Sequence, residues 1–242
     1  MEYDALRRGV AEFVGTFALV FVGCGAIMVD AETGSLGQVG VALAFGLVIA
    51  VMVSAAGPIS LCARSEPASA DSDRANHLGG GHFNPAVTLA LWLAREVPGR
   101  RAAGYWLAQV AGAIAGAALL RASLGNTANL GTTQPSGSEG EAFLWELVLT
   151  FLLLFVIVAV ATGERAESPV TVGVAVGGTI AMASLVGGPV SGASLNPARS
   201  LGPAVVSGEV DALWVYLTAP FVGGVLGALA YRLVRRAAAT AA

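Results

Sequence analysis

Six long apolar runs, at residues 10–29, 39–56, 102–120, 142–161, 170–185 and 213–233, dominate the pattern of the chain. Each approaches the ~20 residues that carry a helix across a bilayer about 30 Å thick. Polar residues cluster between the runs. Inside them lie a few isolated polar positions, among them Glu12 and Glu146. The pattern predicts an all-α membrane protein with six transmembrane helices.

Composition sharpens this picture. Of 242 residues, 55% are hydrophobic and 12% charged, about half the charge of an ordinary soluble domain. Of the 32 glycines, 14 fall within the apolar runs, where small residues let helix backbones approach. Small-xxx-small spacing occurs at Gly112/Gly116, Gly173/Gly177 and Gly223/Gly227. The N-terminal stretch "MEYDALRRGV" mixes acids with arginines, and the run behind it is too long for a cleavable signal. It reads as the first span. Cys24 and Cys62 suggest no disulfide framework.

Charge then sets an orientation. The chain has no lysine. With six spans, Arg7, Arg8, Arg64, Arg74, Arg95, Arg100, Arg101, Arg165, Arg232, Arg235 and Arg236 share one side; Arg121 lies at the other and Arg199 stands apart. The positive-inside rule places both termini in the cytoplasm of a cell (inner or plasma) membrane.

The pattern also repeats. "EFVGTFALVF" (12–21) matches "ELVLTFLLLF" (146–155), "VGVALAFG" (39–46) resembles "VGVAVGGT" (172–179), and "GPIS" (57–60) matches "GPVS" (188–191). Asn84-Pro85-Ala86 matches Asn196-Pro197-Ala198. One channel-like domain, 1–242, is expected to hold two copies of a three-span unit, 1–122 and 141–242. An odd number of spans inverts the second copy, as in many transport folds. Residues 61–79, "LCARSEPASADSDRANHLG", have no counterpart in the second copy. They read as a polar cytoplasmic insertion. Within it Cys62, Asp71, Asp73 and His77 fit no metal-ligand spacing. No metal or cofactor is expected.

Asn is a favoured N-cap and Pro a favoured first helical residue. Each Asn-Pro-Ala therefore predicts a short helix, 85–94 and 197–206. About ten residues span ~15 Å, half a bilayer. Such re-entrant half-helices are tolerated where their irregular flanks line a water-filled cavity. Inversion brings one from each face, so that their N-termini meet near the midplane. Each end carries roughly +0.5 of partial charge and repels cations, hydronium included. The oxygen of each Asn holds its own helix, which leaves the NH2 as a donor to a passing solute. A water so held points its hydrogens away and relays protons poorly.

"AEFVGTF", "GGHFNPAVT" and "NPARS", with the paired motifs in register with six spans, resemble the aquaporins, or major intrinsic proteins. The resemblance covers the chain except residues 61–79. It implies a passive channel for water and small neutral solutes that excludes protons and ions, assembled as a homotetramer with one pore per subunit. It further implies a selectivity filter of Phe45, Ser184, Ala193 and Arg199. Glu12 and Glu146 would accept hydrogen bonds from the motif-bearing loops, and His82 would fix the first loop or the cytoplasmic pore mouth. Arg199, a charge inside a span, suits a pathway residue.

The filter departs from the water-selective pattern of the family. Water channels usually carry His at the position of Ser184; Ser184 and Ala193 are both small. Phe45, Ser200, Ala204 and Tyr216 look water-type, whereas Leu217 looks glycerol-type. A wider filter that admits glycerol, urea or undissociated metalloid acids is the alternative. Two other classes stand beside it: a coupled secondary transporter, and a non-conducting structural membrane protein. An enzyme is not expected, because no nucleophile, base and orienting group come together. No nucleic-acid partner is expected.

Overall fold

A computed structural model describes residues 2–61, 81–162 and 167–240. Among the described residues, six helices are long and apolar enough to cross a membrane. Span 1 runs through Glu2–Leu19, a π-helical turn Val20–Cys24 and Gly25–Thr33; span 2 is Gly37–Leu61 and span 3 Gly99–Leu124. Span 4 is Glu139–Ala161, span 5 Pro169–Ser191 and span 6 Leu213–Thr240. Two short helices, Pro85–Leu93 and Pro197–Ser207, are the half-helices. No strand occurs among the described residues. Residues 62–79 of the expected insertion, with the four potential ligands in it, lie outside the described residues.

The arrangement of polarity fits a bilayer. Side chains such as Leu107, Val174 and Leu47 face outward, 76%, 64% and 61% exposed. The interior instead buries Glu12, Gln109, Glu146, Asn196, Arg199 and Ser200. A soluble fold would place these groups the other way round.

Glycine pairs set the helix contacts. A Cβ on Gly112 would strike the Phe13 carbonyl, which brings span 3 onto span 1. On span 5, Gly173 and Gly177 press against the carbonyls of Ala50 and Gly46 in span 2. On span 6, Gly223 and Gly227 press against the carbonyls of Leu147 and Phe151 in span 4. All three small-xxx-small pairs thus lie at backbone-to-backbone contacts.

Every span extends past its apolar run at one end or both, and two features depart further from the sequence expectation. Span 5 continues past residue 185 through Gly187, Gly188 and Pro189 to Ser191. Proline deletes one helical donor without closing the helix, and partners outside the helix hold this last turn. Span 1 carries the π-helical turn, whose extra residue per turn has no apolar signature. It brings Gly23 against the Phe45 ring.

Candidate functional site

Each half-helix starts as its motif dictates. Asn84 is the N-cap of Pro85–Leu93, and its Oδ1 accepts from the Ala86 N–H at 2.8 Å. Asn196 caps Pro197–Ser207, and its Oδ1 accepts from the N–H groups of Ala198 at 3.0 Å and Arg199 at 3.4 Å. The amide groups then cross over. Asn84 Nδ2 donates to the Leu195 carbonyl and Asn196 Nδ2 to the Phe83 carbonyl, both at 2.8 Å. Each N-terminus is thereby strapped to the loop leading into the other. One hydrogen of each NH2 is used in the strap; the second meets no acceptor among the described residues. From the sequence alone both hydrogens are free, because the opposite loop lies more than a hundred residues away along the chain.

The two loops share an unusual backbone. Gly81 and Phe83 have φ of 87° and 50°; Ala193 and Leu195 have φ of 43° and 54°. Left-handed residues flank His82 and Ser194, and Gly192 at φ 81° adds a third in the second loop; such backbone turns successive N–H groups to one side as an anion-binding nest. A buried carboxylate fills each nest. Glu12 Oε1 accepts from Gly81 N and His82 N at 2.7 and 2.8 Å, and its Oε2 from Phe83 N at 2.8 Å and Gln109 Nε2 at 2.7 Å. Glu146 Oε1 accepts from Ser194 N at 2.8 Å and Ser191 Oγ at 2.9 Å, and its Oε2 from Leu195 N at 2.8 Å. Left-handed φ costs a non-glycine residue about 1–2 kcal/mol. Charge-assisted bonds of about 1.5–3 kcal/mol offset that strain.

His82 closes the first loop. Its Nδ1 lies 3.0 Å from Thr88 Oγ1, and Thr88 Oγ1 donates to the Asn84 carbonyl at 3.1 Å. Gln109 Nε2 also donates to Thr88 Oγ1 at 3.0 Å. The second loop uses hydroxyls instead: Ser194 Oγ donates to the Asn196 carbonyl at 2.9 Å. With that proton committed, Ser200 Oγ must donate to Ser194 Oγ across 2.6 Å, and Thr133 Oγ1 to Ser200 Oγ across 2.7 Å.

Arg199 sits in the first turn of the second half-helix, 1% exposed. Its Nη1 donates to the Gly131 carbonyl at 2.8 Å, and its guanidinium carbon lies 5.0 Å from the centre of the Phe45 ring. Nε and Nη2 have no partner among the described residues. The Gly131 carbonyl is presented by the turn Thr127–Gly131, whose Ala128, Asn129 and Leu130 have φ of 46°, 48° and 58°. Gly131 itself packs on Cys24, at the end of the π-helical turn. Ser184 and Ala193 are buried near the ends of span 5 and of the second loop. The Ser184 carbonyl accepts from Gln38 Nε2 at 2.7 Å.

Gln109, Gly131, Thr133 and Gln38 were not singled out by sequence reasoning. Gln109 carried a usable signal, an amide within an apolar span. Gly131 and Thr133 sit in a connection whose sequence pattern says nothing about its partner.

Comparison with known proteins agrees with this geometry. The family model described as "Major intrinsic protein" matches residues 1–68 and 71–231, and so reaches into the 61–79 stretch. "Aquaporin NIP1-4" of Oryza sativa subsp. japonica is 44% identical over 236 residues, covering 97% of this chain and 79% of that protein. "Nodulin-26" of Glycine max is 40% identical over 232 residues, covering 95% and 75%. The X-ray structure of the aquaglyceroporin from Plasmodium falciparum superposes with a TM-score of 0.78 at 26% identity, covering 94% of this chain and 95% of that one. With two capped half-helices strapped together inside six spans, and this match along nearly its whole length, the chain belongs to the major intrinsic protein (aquaporin) family.

Proposed function

We propose that this protein is a passive channel for water and small neutral solutes that excludes protons and other ions. The observation that carries the reading is the reciprocal strap between Asn84 and Asn196. It holds two helix N-termini together inside the fold, each with one amide hydrogen to spare. Two positive helix ends oppose cations. Two donors that meet a water at its oxygen turn its hydrogens away from each other's path, so that it passes a proton poorly along a file.

Phe45, Ser184, Ala193 and Arg199 form the selectivity filter in this reading. Arg199 supports it with two buried nitrogens free to donate and a guanidinium fixed by Gly131 and Phe45. The small side chains of Ser184 and Ala193 favour a filter wide enough for glycerol, urea or an undissociated metalloid acid as well as water. The similar proteins include both aquaporins and an aquaglyceroporin. The arginine distribution supports both termini on the cytoplasmic side of the cell membrane, and the outward apolar side chains suit lipid and the neighbouring subunits of a homotetramer.

Light scattering from reconstituted vesicles tests the reading. Water, glycerol, urea and arsenite are each imposed as a gradient. Swelling above that of protein-free vesicles is expected for water and for at least one of the solutes. A flux that collapses when a protonophore is added would point instead to a coupled transporter, and the absence of any flux to a structural role.

A further inference from the structure

Spans 2 and 5 touch backbone to backbone around Gly46 and Gly177, where a Cβ on either glycine would meet the other helix. Phe45 precedes Gly46, so this contact fixes its place. Ser184 lies about two turns, ~10 Å, beyond Gly177. There span 5 becomes weak: Gly187 and Gly188 lower its helix propensity, and Pro189 supplies no N–H to the carbonyl of Leu185.

Two side chains grip this weakened end. Ser136 donates from Oγ to the Pro189 carbonyl at 2.6 Å and from its N–H to the Val190 carbonyl at 2.9 Å. Gln38, in the first turn of span 2, donates from Nε2 to the Ser184 carbonyl at 2.7 Å. Its amide lies so close over Gly188 that a Cβ there would strike Nε2. Gln38 is thus a polar side chain at the head of an apolar helix, committed to the backbone of one residue in the facing span.

We propose that Gln38 is a positioning residue for solute selectivity. Its bond to Ser184 sets the separation of spans 2 and 5 at the level of the filter, and so the largest solute that passes. The inference rests on the reading that Phe45 and Ser184 face the pore. The Gly46–Gly177 contact acts as a pivot, and the Gly-Gly-Pro turn supplies the compliance. Without the Gln38 bond, the end of span 5 swings away from span 2. Water gains little from the added width, whereas a three-carbon polyol gains most.

The test compares the wild type with Gln38→Met, Gln38→Lys, Gly188→Ala and Ser184→Trp in phosphatidylcholine vesicles, reading glycerol and water permeability by light scattering. Gln38→Met removes the donor at similar volume. It is expected to raise the glycerol-to-water ratio about threefold or more, the scale on which losing one hydrogen bond moves an equilibrium. Gly188→Ala pushes the Gln38 amide aside and is expected to raise the ratio likewise. Gln38→Lys keeps an N–H donor on a stem of similar reach and is expected to keep the wild-type ratio. An unchanged ratio in both Gln38→Met and Gly188→Ala overturns the proposal. A ratio raised equally by Gln38→Met and Gln38→Lys also overturns it, because packing and not the donor would then set the width. Ser184→Trp is expected to cut water flux. If it conducts water like the wild type, the filter reading fails, and the Gln38 proposal fails with it.

Discussion

Asn84 and Asn196 are each bonded to the loop that carries the other, through the carbonyls of Leu195 and Phe83 at 2.8 Å. Neither half-helix can be withdrawn without breaking the other's anchor. The cap on each helix and the strap between them come from the same two side chains, so positioning and helix initiation are a single property.

Replacing Asn196 with Ala removes a cap from Ala198 and Arg199 and leaves the buried Phe83 carbonyl without its donor. Cap loss costs about 1 kcal/mol, and a buried group left unpaired about 1–3 kcal/mol more. Thermal unfolding in detergent should fall well below the wild type for Asn196→Ala, and similarly for Asn84→Ala. A melting temperature unchanged in both would mean that the strap contributes nothing.

Glu146 tests the nests. The carboxylate faces only donors: the hydroxyl of Ser191 and the N–H groups of Ser194 and Leu195. Glu146→Gln turns one acceptor into an NH2 that meets donors. A loss of about 2–4 kcal/mol is expected, from missing charge-assisted bonds and an unmatched amide. Water flux per folded protein should fall with it, because Leu195 and Asn196 lose their fixed place. Glu146→Gln protein that melts and conducts like the wild type would contradict the nest account.

Glycine contacts give a contrast within one molecule. A Cβ at Gly223 would meet the carbonyl of Leu147, a backbone atom that cannot step aside, whereas Gly178 has open space around it. Gly223→Ala should cost about 1–3 kcal/mol or more through overpacking, and Gly178→Ala should be near neutral. Their relative melting temperatures in detergent check this directly. Equal behaviour would show that the two helices separate at no cost.

Much of this architecture is legible in the sequence because each part is local. Long apolar runs mark the spans, Asn-Pro fixes the start of each half-helix, and the glycine pairs mark close helix contacts. The half-helices end within a residue of the expected places, at Leu93 and Ser207. The remainder depends on where distant segments meet. Nothing in Thr127–Gly131 announces that its carbonyl will hold Arg199. Phe83, Ala193 and Leu195 are residue types that rarely take left-handed backbone; they do so here because Glu12 and Glu146 arrive from other helices. The Gly187-Gly188-Pro189 turn reads as a helix end, yet it continues as helix because Gln38 and Ser136 grip it from outside.

Ser184→His narrows the proposed filter. In that filter the ring adds heavy atoms, together with an N–H donor that a water can use. Water flux should fall modestly and glycerol or urea flux much more, giving a lower solute-to-water ratio in vesicles. If that ratio is unchanged while the wild type conducts glycerol, Ser184 does not line the narrow point.

The strapped helix ends and Arg199 are proposed to pass water while refusing protons. One preparation of reconstituted vesicles measures both, with osmotic shrinkage followed by light scattering and internal pH by an entrapped dye under an imposed pH gradient and clamped potential. Water permeability well above that of protein-free vesicles is expected, with proton leak equal to theirs. Proton flux that rises in step with water flux as more protein is incorporated would contradict it.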